Sequence, residues 1–354
     1  MGMGLDTRTV CDRAHNGEGG NMNAGAEKAR TLLLVLGALF AIWGILGWMD
    51  IGNLAQGGYA TDGNNTVTQV LPGSPSEKAG LQVGDYIVSM NGISTEDAAA
   101  FSRQSRPDVG ETWPWVVTRD GETVNFDLTW GELVPQRKLI AHGSVVVGFC
   151  LLGFTLWAHW KRPSRATAAL AMAGVFLSLA FLNGPYFESS GLRSFSNALA
   201  VIIVFVGVAS LLYFLMVYPK VSSFLDKANG KLIFFAPAVA LGLFLAYRTL
   251  MTPVATSGLN VFTNIFAGVV ISIYVLGSVV YMVRSYLGAS AEERDNKGLN
   301  LMLIGTLVGL LPIGLATLIN VFAPQVVLPG QPFYFLALIL IPITWSVAVM
   351  RGSG

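Results

Sequence analysis

Long apolar blocks alternate with short polar segments along this chain, and one polar segment, residues 51–137, is much longer than the rest. A block of about 20 apolar residues is long enough to cross a hydrocarbon core about 30 Å thick. The pattern predicts a first transmembrane helix at residues 31–50 and a seven-helix transmembrane domain at 138–351, with spans at 139–160, 167–187, 197–218, 232–250, 259–283, 299–323 and 333–350.

Composition agrees with this division. The chain is 53% hydrophobic and 12% charged, and its mean hydropathy is +0.57, whereas a soluble protein of this size carries about 25% charged residues. Residues 1–30 are polar and rich in glycine, which predicts a disordered cytoplasmic tail with Met22 as a second candidate start. Cys11 and Cys150 fall in the tail and in a span, so no disulfide framework is predicted.

The distribution of Lys and Arg predicts the orientation. With the N-terminus inside, 14 of the 22 Lys and Arg residues lie in inside segments, and the short outside loops hold only Arg193 and Arg248. Short loops obey the positive-inside rule, while long translocated domains are largely exempt from it. We therefore expect eight spans, both termini in the cytoplasm, and residues 51–137 outside.

Within the insert, local signals predict a compact α+β domain. Ser74 and Pro75 fit the start of a short helix that Gly80 ends. The next apolar run, Tyr86–Met90, reads as a strand ending in an Asn-Gly turn, and residues 95–105 read as a helix.

The end of the insert has the pattern of a β-hairpin. Asp120 and Gly121 separate alternating runs at 113–118 and 123–130, and Asp-Gly between such runs is a strong hairpin signal. One face of the second run is apolar. The residues predicted to form the core of the insert are Leu71, Leu81, Ile87, Val124 and Phe126.

The run from Val67 to Gly92, with Gly-Ser-Pro, Lys-Ala-Gly-Leu, Gly-Asp and Asn-Gly in that order, strongly resembles the PDZ domain of bacterial envelope proteins. The resemblance covers about 75 residues and implies capture of an extended peptide beside an edge strand. It places the groove between the strand before Val67 and helix 95–105, and the carboxylate-binding loop at 57–60. The peptide-binding residues it implies are Gly57, Gly58, Tyr59, Ala60, Val67, Ala98 and Phe101.

Two features of the insert depart from the PDZ pattern. Residues 57–60 lack the usual alternation of glycine and hydrophobic residues, and the polar run that begins at Asp62 shortens the strand after them. A folded spacer that binds no ligand therefore stays open beside peptide binding.

The membrane part carries a second resemblance, in three short stretches at residues 214–220, 291–297 and 341–351. Together they resemble the multi-span sensory half of bacterial histidine kinases and serine phosphatases, above all the membrane region of competence quorum-sensing kinases. In those proteins an output domain follows the last span. No autophosphorylation His box, nucleotide-binding Asn box or phosphatase carboxylate cluster occurs in these 354 residues, so we expect the output chemistry to lie elsewhere.

Enzymatic chemistry finds little support in the residue pattern. A zinc protease needs two histidines one helical turn apart, but the histidines are His15, His142 and His159. The last two lie about 25 Å apart along one predicted helix. We expect no catalytic residues, no metal, no cofactor and no enzymatic activity.

Polar residues inside the predicted spans are few. Asn183, Asn264 and Asn320 are the notable ones, and such residues usually form interhelical hydrogen bonds, so transport is the less favoured reading. The leading hypothesis is a membrane receptor whose outer domain binds a peptide or protein segment and whose spans, in contact with the lipid bilayer, relay this to a cytoplasmic signalling partner. The alternative is a non-signalling adaptor that presents envelope proteins to a protease or chaperone. No nucleic-acid partner is predicted.

Overall fold

The structure, a computed structural model, describes residues 8–62, 64–251, 257–323, 326 and 328–352. Its first element is helix α1 (Arg8–Asp50). The helix begins within residues 1–30, the segment for which the sequence predicts a disordered tail. Residues 24–30 are rich in Ala, Glu, Lys and Arg, which are strong helix formers and extend the span toward the N-terminus.

The insert folds into the predicted α+β domain. A 3-10 turn (Ile51–Asn53) leads into β1 (Ala55–Gln56), β2 (Tyr59–Thr61), β3 (Val67–Val70), α2 (Pro75–Ala79), β4 (Tyr86–Met90), β5 (Ile93–Ser94), α3 (Ala98–Arg103), β6 (Thr112–Arg119), β7 (Glu122–Thr129) and β8 (Gly131–Glu132). The main antiparallel sheet has the order β5-β4-β6-β7, and β2-β3 and β1-β8 form two small sheets. The domain lies between residues 55 and 132, directly after the first span.

Local signals in the sequence account for most of these boundaries. The Ser74 hydroxyl accepts a hydrogen bond from the Glu77 amide and caps α2, and Gly80 ends the helix at φ 90°. Asp120 and Gly121 have φ values of 51° and 86°, as a type I′ hairpin turn requires. The predicted helix at 95–105 is shorter, since the Asp97 side chain caps it by accepting from the Ala100 amide.

The core of the domain is more aromatic than predicted. Leu81 and Ile87 are buried as expected, whereas Val124 and Phe126 pack at the margin of the core and Leu71 is half-buried outside it. Three tryptophans fill the centre instead, two from β6 and one from the position between β7 and β8: Trp113, Trp115 and Trp130. In the sequence, the apolar residues at positions 113, 115 and 117 alternate with their neighbours, and this alternation indicates the inward face of β6.

After the domain, the chain forms a helical membrane body. Its elements are α4 (Pro135–Lys161), α5 (Arg165–Ser178), α6 (Ser190–Val217), α7 (Gly230–Met251), α8 (Ser257–Gly288), α9 (Ala291–Asn296), α10 (Leu299–Gly309), α11 (Leu311–Phe322), a 3-10 helix (Gln331–Ile339) and α12 (Leu340–Gly352). Within the described residues, seven helical segments are long and apolar enough to cross a membrane, counting α10 with α11 and the last 3-10 helix with α12 as single segments.

The predicted span at 167–187 is wrong as a continuous helix. Helix α5 has 14 residues and is therefore about 21 Å long, and the chain continues without regular helix to Ser189. Gly184 and Pro185 keep the following residues from resuming a helix before Ser190, because the residue before a proline avoids the helical conformation.

Helix α5 and the extended segment together still cross the body. Leu182 packs beside Gly148 of α4 and Gly44 of α1, and the Ser144 hydroxyl donates to the Phe181 carbonyl at 2.9 Å. The segment ends at Tyr186, which contacts the PDZ-like domain. This path joins the two ends of the body in addition to the seven candidate spanning helices among the described residues.

Hydrogen bonds between helices show which helix ends lie together at each end of the body. At the end away from the domain, Arg30 donates to the Trp160 carbonyl, and Arg162 to the Met350 carbonyl. The start of the first span and the end of the last span therefore lie at the same end. Between the two ends, the core includes Phe214 stacked on Trp345 at 5.0 Å between ring centroids.

Candidate peptide groove and its membrane junction

Strand β2 is the element on which a peptide-binding groove depends. In the described structure it pairs with β3 on one side and belongs to no larger sheet. The strand ends at Thr61 because the Asp62 carboxylate accepts the amides of Asn64 and Thr66, both at 2.9 Å. The result is a three-residue edge strand that offers a short length of backbone for pairing.

The loop before β2 is held against α2 and the turn that precedes it. The Gly57 carbonyl accepts the Ser76 amide at 2.9 Å, and the Gly58 carbonyl accepts the Leu71 amide at 2.8 Å. Gly58 has a φ of 82°, and a Cβ there would overlap Ser74. Glycine is therefore required at this position to keep the loop in place beside β2.

The predicted peptide-binding residues divide into surface and core positions. Ala60 is exposed on β2, while Phe101 of α3 packs at the margin of the core. Tyr59 is half-buried with its ring against Trp115, and desolvation of its phenol raises the pKa to about 12. The side chain of Ala98 lies outside the described residues.

Val67 is not brought to the groove. Its side chain is 1% exposed, and its amide and carbonyl bond to Asp85 and Gly84 respectively, both at 2.8 Å. It supports β3 from within the core, so a direct contact with a ligand is not available to it.

A set of polar residues, which we call the clasp, joins the end of α3 to the membrane body: Asp50, Arg106, Tyr186 and Arg193. The Arg106 guanidinium pairs with the Asp50 carboxylate at 2.6 Å. The Tyr186 hydroxyl accepts from the Arg106 amide at 2.5 Å and from the Arg193 guanidinium at 2.6 Å.

The clasp reaches the last residues of α3 itself. Arg193 also donates to the Gln104 carbonyl at 3.1 Å, and both arginines lie against the Tyr186 ring, with Arg106 4.1 Å from its centroid. Residues 104–106, directly after α3, are thus bonded to α1, to the unwound segment and to α6. Arg193 also donates to the carbonyl of Arg103, the last residue of α3, at 3.4 Å. A cavity of about 290 Å³ lies beside these residues, and Trp43 and Asn183 help to line it.

The two chain connections between the domain and the membrane helices, before β1 and after β8, add to this attachment. Strands β1 and β8, which begin and end the domain, pair with each other, and the Gln56 side chain accepts the Val134 amide at 3.3 Å. Ile51, directly after the first span, is buried among side chains of α4 and α5. The domain is therefore seated on the membrane helices by both connections and by the clasp.

Two of the three histidines considered in the sequence for zinc binding have hydrogen-bonding partners in the protein. His142 Nδ1 accepts from the Trp48 indole at 3.0 Å, and His159 Nδ1 lies 3.0 Å from the Thr167 hydroxyl. Among the described residues, no group of three or more His, Cys, Asp or Glu side chains has the geometry of a metal site. His15 has no described side chain.

The polar residues noted in the spans have modest roles. The side-chain amide oxygen of Asn320 accepts a hydrogen bond from the Gln331 side chain at 3.1 Å. Asn183 lies in the unwound segment beside Gly47 of α1. The side chain of Asn264 is outside the described residues.

Sequence reasoning missed the clasp. Arg193 counted only as an outside cation, and Tyr186 only as an aromatic residue near a predicted span end. No local pattern marks them, because their partners lie about 80 to 90 residues away in the chain. The break at Gly184-Pro185 was the one available signal.

Comparison with known proteins supports the PDZ assignment. The sequence matches the PDZ domain family over residues 66–103. It is 37% identical over 86 residues to a probable periplasmic serine endoprotease DegP-like of Ectopseudomonas mendocina (strain ymp), covering 23% of this chain and 18% of that protein. It is 36% identical over 76 residues to protease RseP of Yersinia pestis, covering 22% of this chain and 16% of that protein.

These matches are partial. The chain spans less than a fifth of the length of either relative. What they support, together with the fold, is a PDZ domain in a protein whose described residues include seven helices long and apolar enough to span a membrane.

Proposed function

We propose that this protein is a bacterial inner-membrane receptor whose PDZ domain binds an extended peptide or protein segment on the extracytoplasmic side. The segment adds as a strand to the free edge of β2, next to α3. Because β2 has three residues, the backbone ladder is short, and selectivity depends on side-chain contacts at Ala60 and Phe101. Weak, reversible capture suits a receptor that samples its ligand.

The clasp is the observation that favours a relay over a simple tether. The end of α3 and the residues directly after it are bonded to the membrane body, through Arg103 and Gln104 to Arg193 and through Arg106 to Tyr186. A ligand that moves α3 also disturbs these bonds, so it has a different affinity for the two arrangements, which is the condition for transmission. The resemblance to quorum-sensing kinase membrane regions points the same way, toward a cytoplasmic signalling partner.

The protease relatives suggest the second candidate, a non-signalling adaptor that presents envelope proteins to a protease or chaperone. Their similarity is confined to a segment of 86 residues or fewer. We propose that this chain is not itself an enzyme, since its histidines lie apart and pair with Trp48 and Thr167.

The test combines peptide selection with hydrogen exchange. Peptides with free carboxyl termini are selected from a display library against the full chain in nanodiscs, and amide exchange is measured with and without the selected peptide. Strand addition protects amides of β2 and leaves β7, on the far edge of the main sheet, unchanged. Protection confined to other surfaces would contradict the proposed groove.

A clasp variant then separates receptor from adaptor. Tyr186→Phe removes the hydroxyl that accepts from Arg106 and Arg193, while Tyr247→Phe changes an exposed tyrosine of α7 and serves as the control. In a receptor, peptide changes exchange at residues 183–193 as well as at β2, and Tyr186→Phe keeps the β2 effect but loses the distant one. If the peptide changes amide exchange at β2 of the wild type but not at residues 183–193, the adaptor would be favoured.

A further inference from the structure

A polar cavity of about 480 Å³ opens at the end of the membrane body opposite the PDZ domain. Its walls are the loop after α6, the last turns of α8, helix α9 and the first residue of α10. The lining is rich in cations and hydroxyl groups: Lys220, Ser222, Ser223, Tyr281, Arg284, Ser285 and Lys297. One carboxylate, Glu293, also lines it.

The charges of this cavity are unbalanced. Glu293 lies 3.6 Å from Lys297 and also accepts the Ser290 amide as part of a helix-capping box. Within the described residues, neither Lys220 nor Arg284 takes part in an ion pair. Two cations therefore face a concave polar space without a counter-charge, a state that favours an anionic ligand.

The backbone strengthens this preference. Leu299, which lines the cavity, is the first residue of the 11-residue helix α10, whose N-cap is Gly298 with no side-chain hydrogen bond to the first turn. Uncapped amides at a helix N-terminus, together with the helix dipole, favour phosphate groups.

The frame of the cavity is fixed by neighbouring bonds. The buried Tyr218 hydroxyl donates to the Lys297 carbonyl at 2.8 Å. Arg294 donates to the Tyr286 carbonyl at 2.9 Å, with its guanidinium 4.4 Å from the centre of the Tyr286 ring. These contacts hold α6, α8 and α9 around the space, so the site is formed before a ligand enters.

We propose that this cavity binds a phosphate-bearing anion, and that Lys220 and Arg284 are its principal ligands. Its volume suits a small headgroup or a small phosphate compound. Leu287, 68% exposed beside Gly288 at the cavity wall, places the opening next to lipid. An anionic phospholipid of that leaflet therefore has direct access, and a soluble phosphate can reach the same groups from water.

The experiment uses the full chain in nanodiscs and compares two probes. Phosphatidylglycerol in phosphatidylcholine nanodiscs tests the lipid source, and inorganic pyrophosphate added to pure phosphatidylcholine nanodiscs tests the soluble source. The binding constant is measured by titration, and the melting temperature in pure phosphatidylcholine checks folding. The test variant is Lys220→Gln with Arg284→Gln, and the control is Lys227→Gln with Lys231→Gln, which removes equal charge outside the cavity at the same end.

We expect the test variant to bind about 30-fold more weakly than wild type, because each basic side chain near a membrane surface contributes about fivefold. The control should bind within about twofold of wild type. Loss seen with phosphatidylglycerol identifies the lipid headgroup, and loss seen with pyrophosphate identifies a soluble ligand. Equal binding by all three proteins with both probes would overturn the site. Should the double variant fail to fold, each single variant should still weaken binding about fivefold.

Discussion

At the scale of single residues, the ion pair between Asp85 and Arg119 is a bidentate contact in the PDZ domain with a buried carboxylate. The guanidinium meets both carboxylate oxygens, at 2.7 and 2.8 Å, and also donates to the Gly80 carbonyl. Asp85 accepts the Gln82 amide as well. The pair thus ties the end of α2 to the start of β4 and the end of β6.

Removing the arginine should leave a buried charge without its partner. The Asp85 side chain is 1% exposed and that of Arg119 is 25% exposed, and breaking a buried pair costs about 3–5 kcal/mol. We expect Arg119→Ala to destabilise the domain by about 3 kcal/mol, near the lower limit because water reaches the arginine. Hydrogen exchange of β4 and β6 amides in the full chain measures this. Lys78→Ala, at an exposed lysine of α2, should change it by less than about 0.5 kcal/mol.

The same pair predicts an acid transition of the domain. Burial alone would raise the pKa of Asp85, but its bonds to Arg119 and Gln82 outweigh this and hold the pKa below its usual value. A carboxyl with a lowered folded pKa contributes stability above its unfolded pKa of about 3.9, and loses it as pH falls through the folded pKa.

The unfolding free energy of the wild-type domain should therefore fall below about pH 4. Asp85→Asn should be less stable at neutral pH and show a shallower loss in acid. The measurement is the unfolding free energy at each pH, obtained from denaturant titrations in which hydrogen exchange of the β4 amides reports unfolding. Identical pH profiles for the two proteins would contradict this role of Asp85.

At the scale of elements, the partly unwound crossing formed by α5 and residues 179–189 depends on close approach to α1. A Cβ on Gly47 of α1 would overlap the Asn183 carbonyl, and one on Gly184 would overlap the Trp43 ring. Irregular backbone at membrane depth is tolerated when it is buried in protein or lines a polar cavity. The two glycines let α1 cover this segment.

A single methyl group should test that packing. We expect Gly47→Ala to lower the melting temperature of the full chain by several degrees, because the clash is with backbone atoms that cannot rotate away. Gly153→Ala is the matched control, since a Cβ on this glycine of α4 meets no atom within 4 Å. Thermal melting in detergent compares the two, and an equal change in both would argue against the close contact.

Elements with local determinants were predictable from sequence, and elements with distant ones were not. The limits of β4 and the turn at Asp120 follow from residues within the elements themselves. The end of α5 at Ser178 does not, since residues 167–187 are apolar enough for a full span and the helix stops where α1 and α4 offer other contacts. For the groove, the positions of the glycine loop and β2 were predictable, whereas Val67 is held in the core by bonds to Gly84 and Asp85, 17 and 18 residues away.

At the scale of the whole molecule, bonds between the helices decide which ends lie together. Arg30 and Met350 lie at one end of the body, and the PDZ domain lies at the other. The positive-inside count predicts the same arrangement with the PDZ domain outside.

Thiol labelling in intact cells tests the crossing made by α5. In a chain without native cysteines, Ser189→Cys lies before α6 at the PDZ end, and Pro163→Cys lies between α4 and α5 at the other end; both positions are exposed. An impermeant maleimide should label the first and spare the second. Labelling of both, or of neither, would contradict eight crossings.

The short length of α5 also has a consequence for biosynthesis. With 14 residues it is shorter than the roughly 20 needed for a segment to partition into lipid alone. Three residues join it to α4, and the side chains of Ser164 and Thr167 form a capping box at its start. We infer that the insertion machinery receives α4 and α5 together as a helical hairpin. A glycosylation-reporter assay should then show α5 integrating when α4 precedes it and passing through the translocon when it is presented alone.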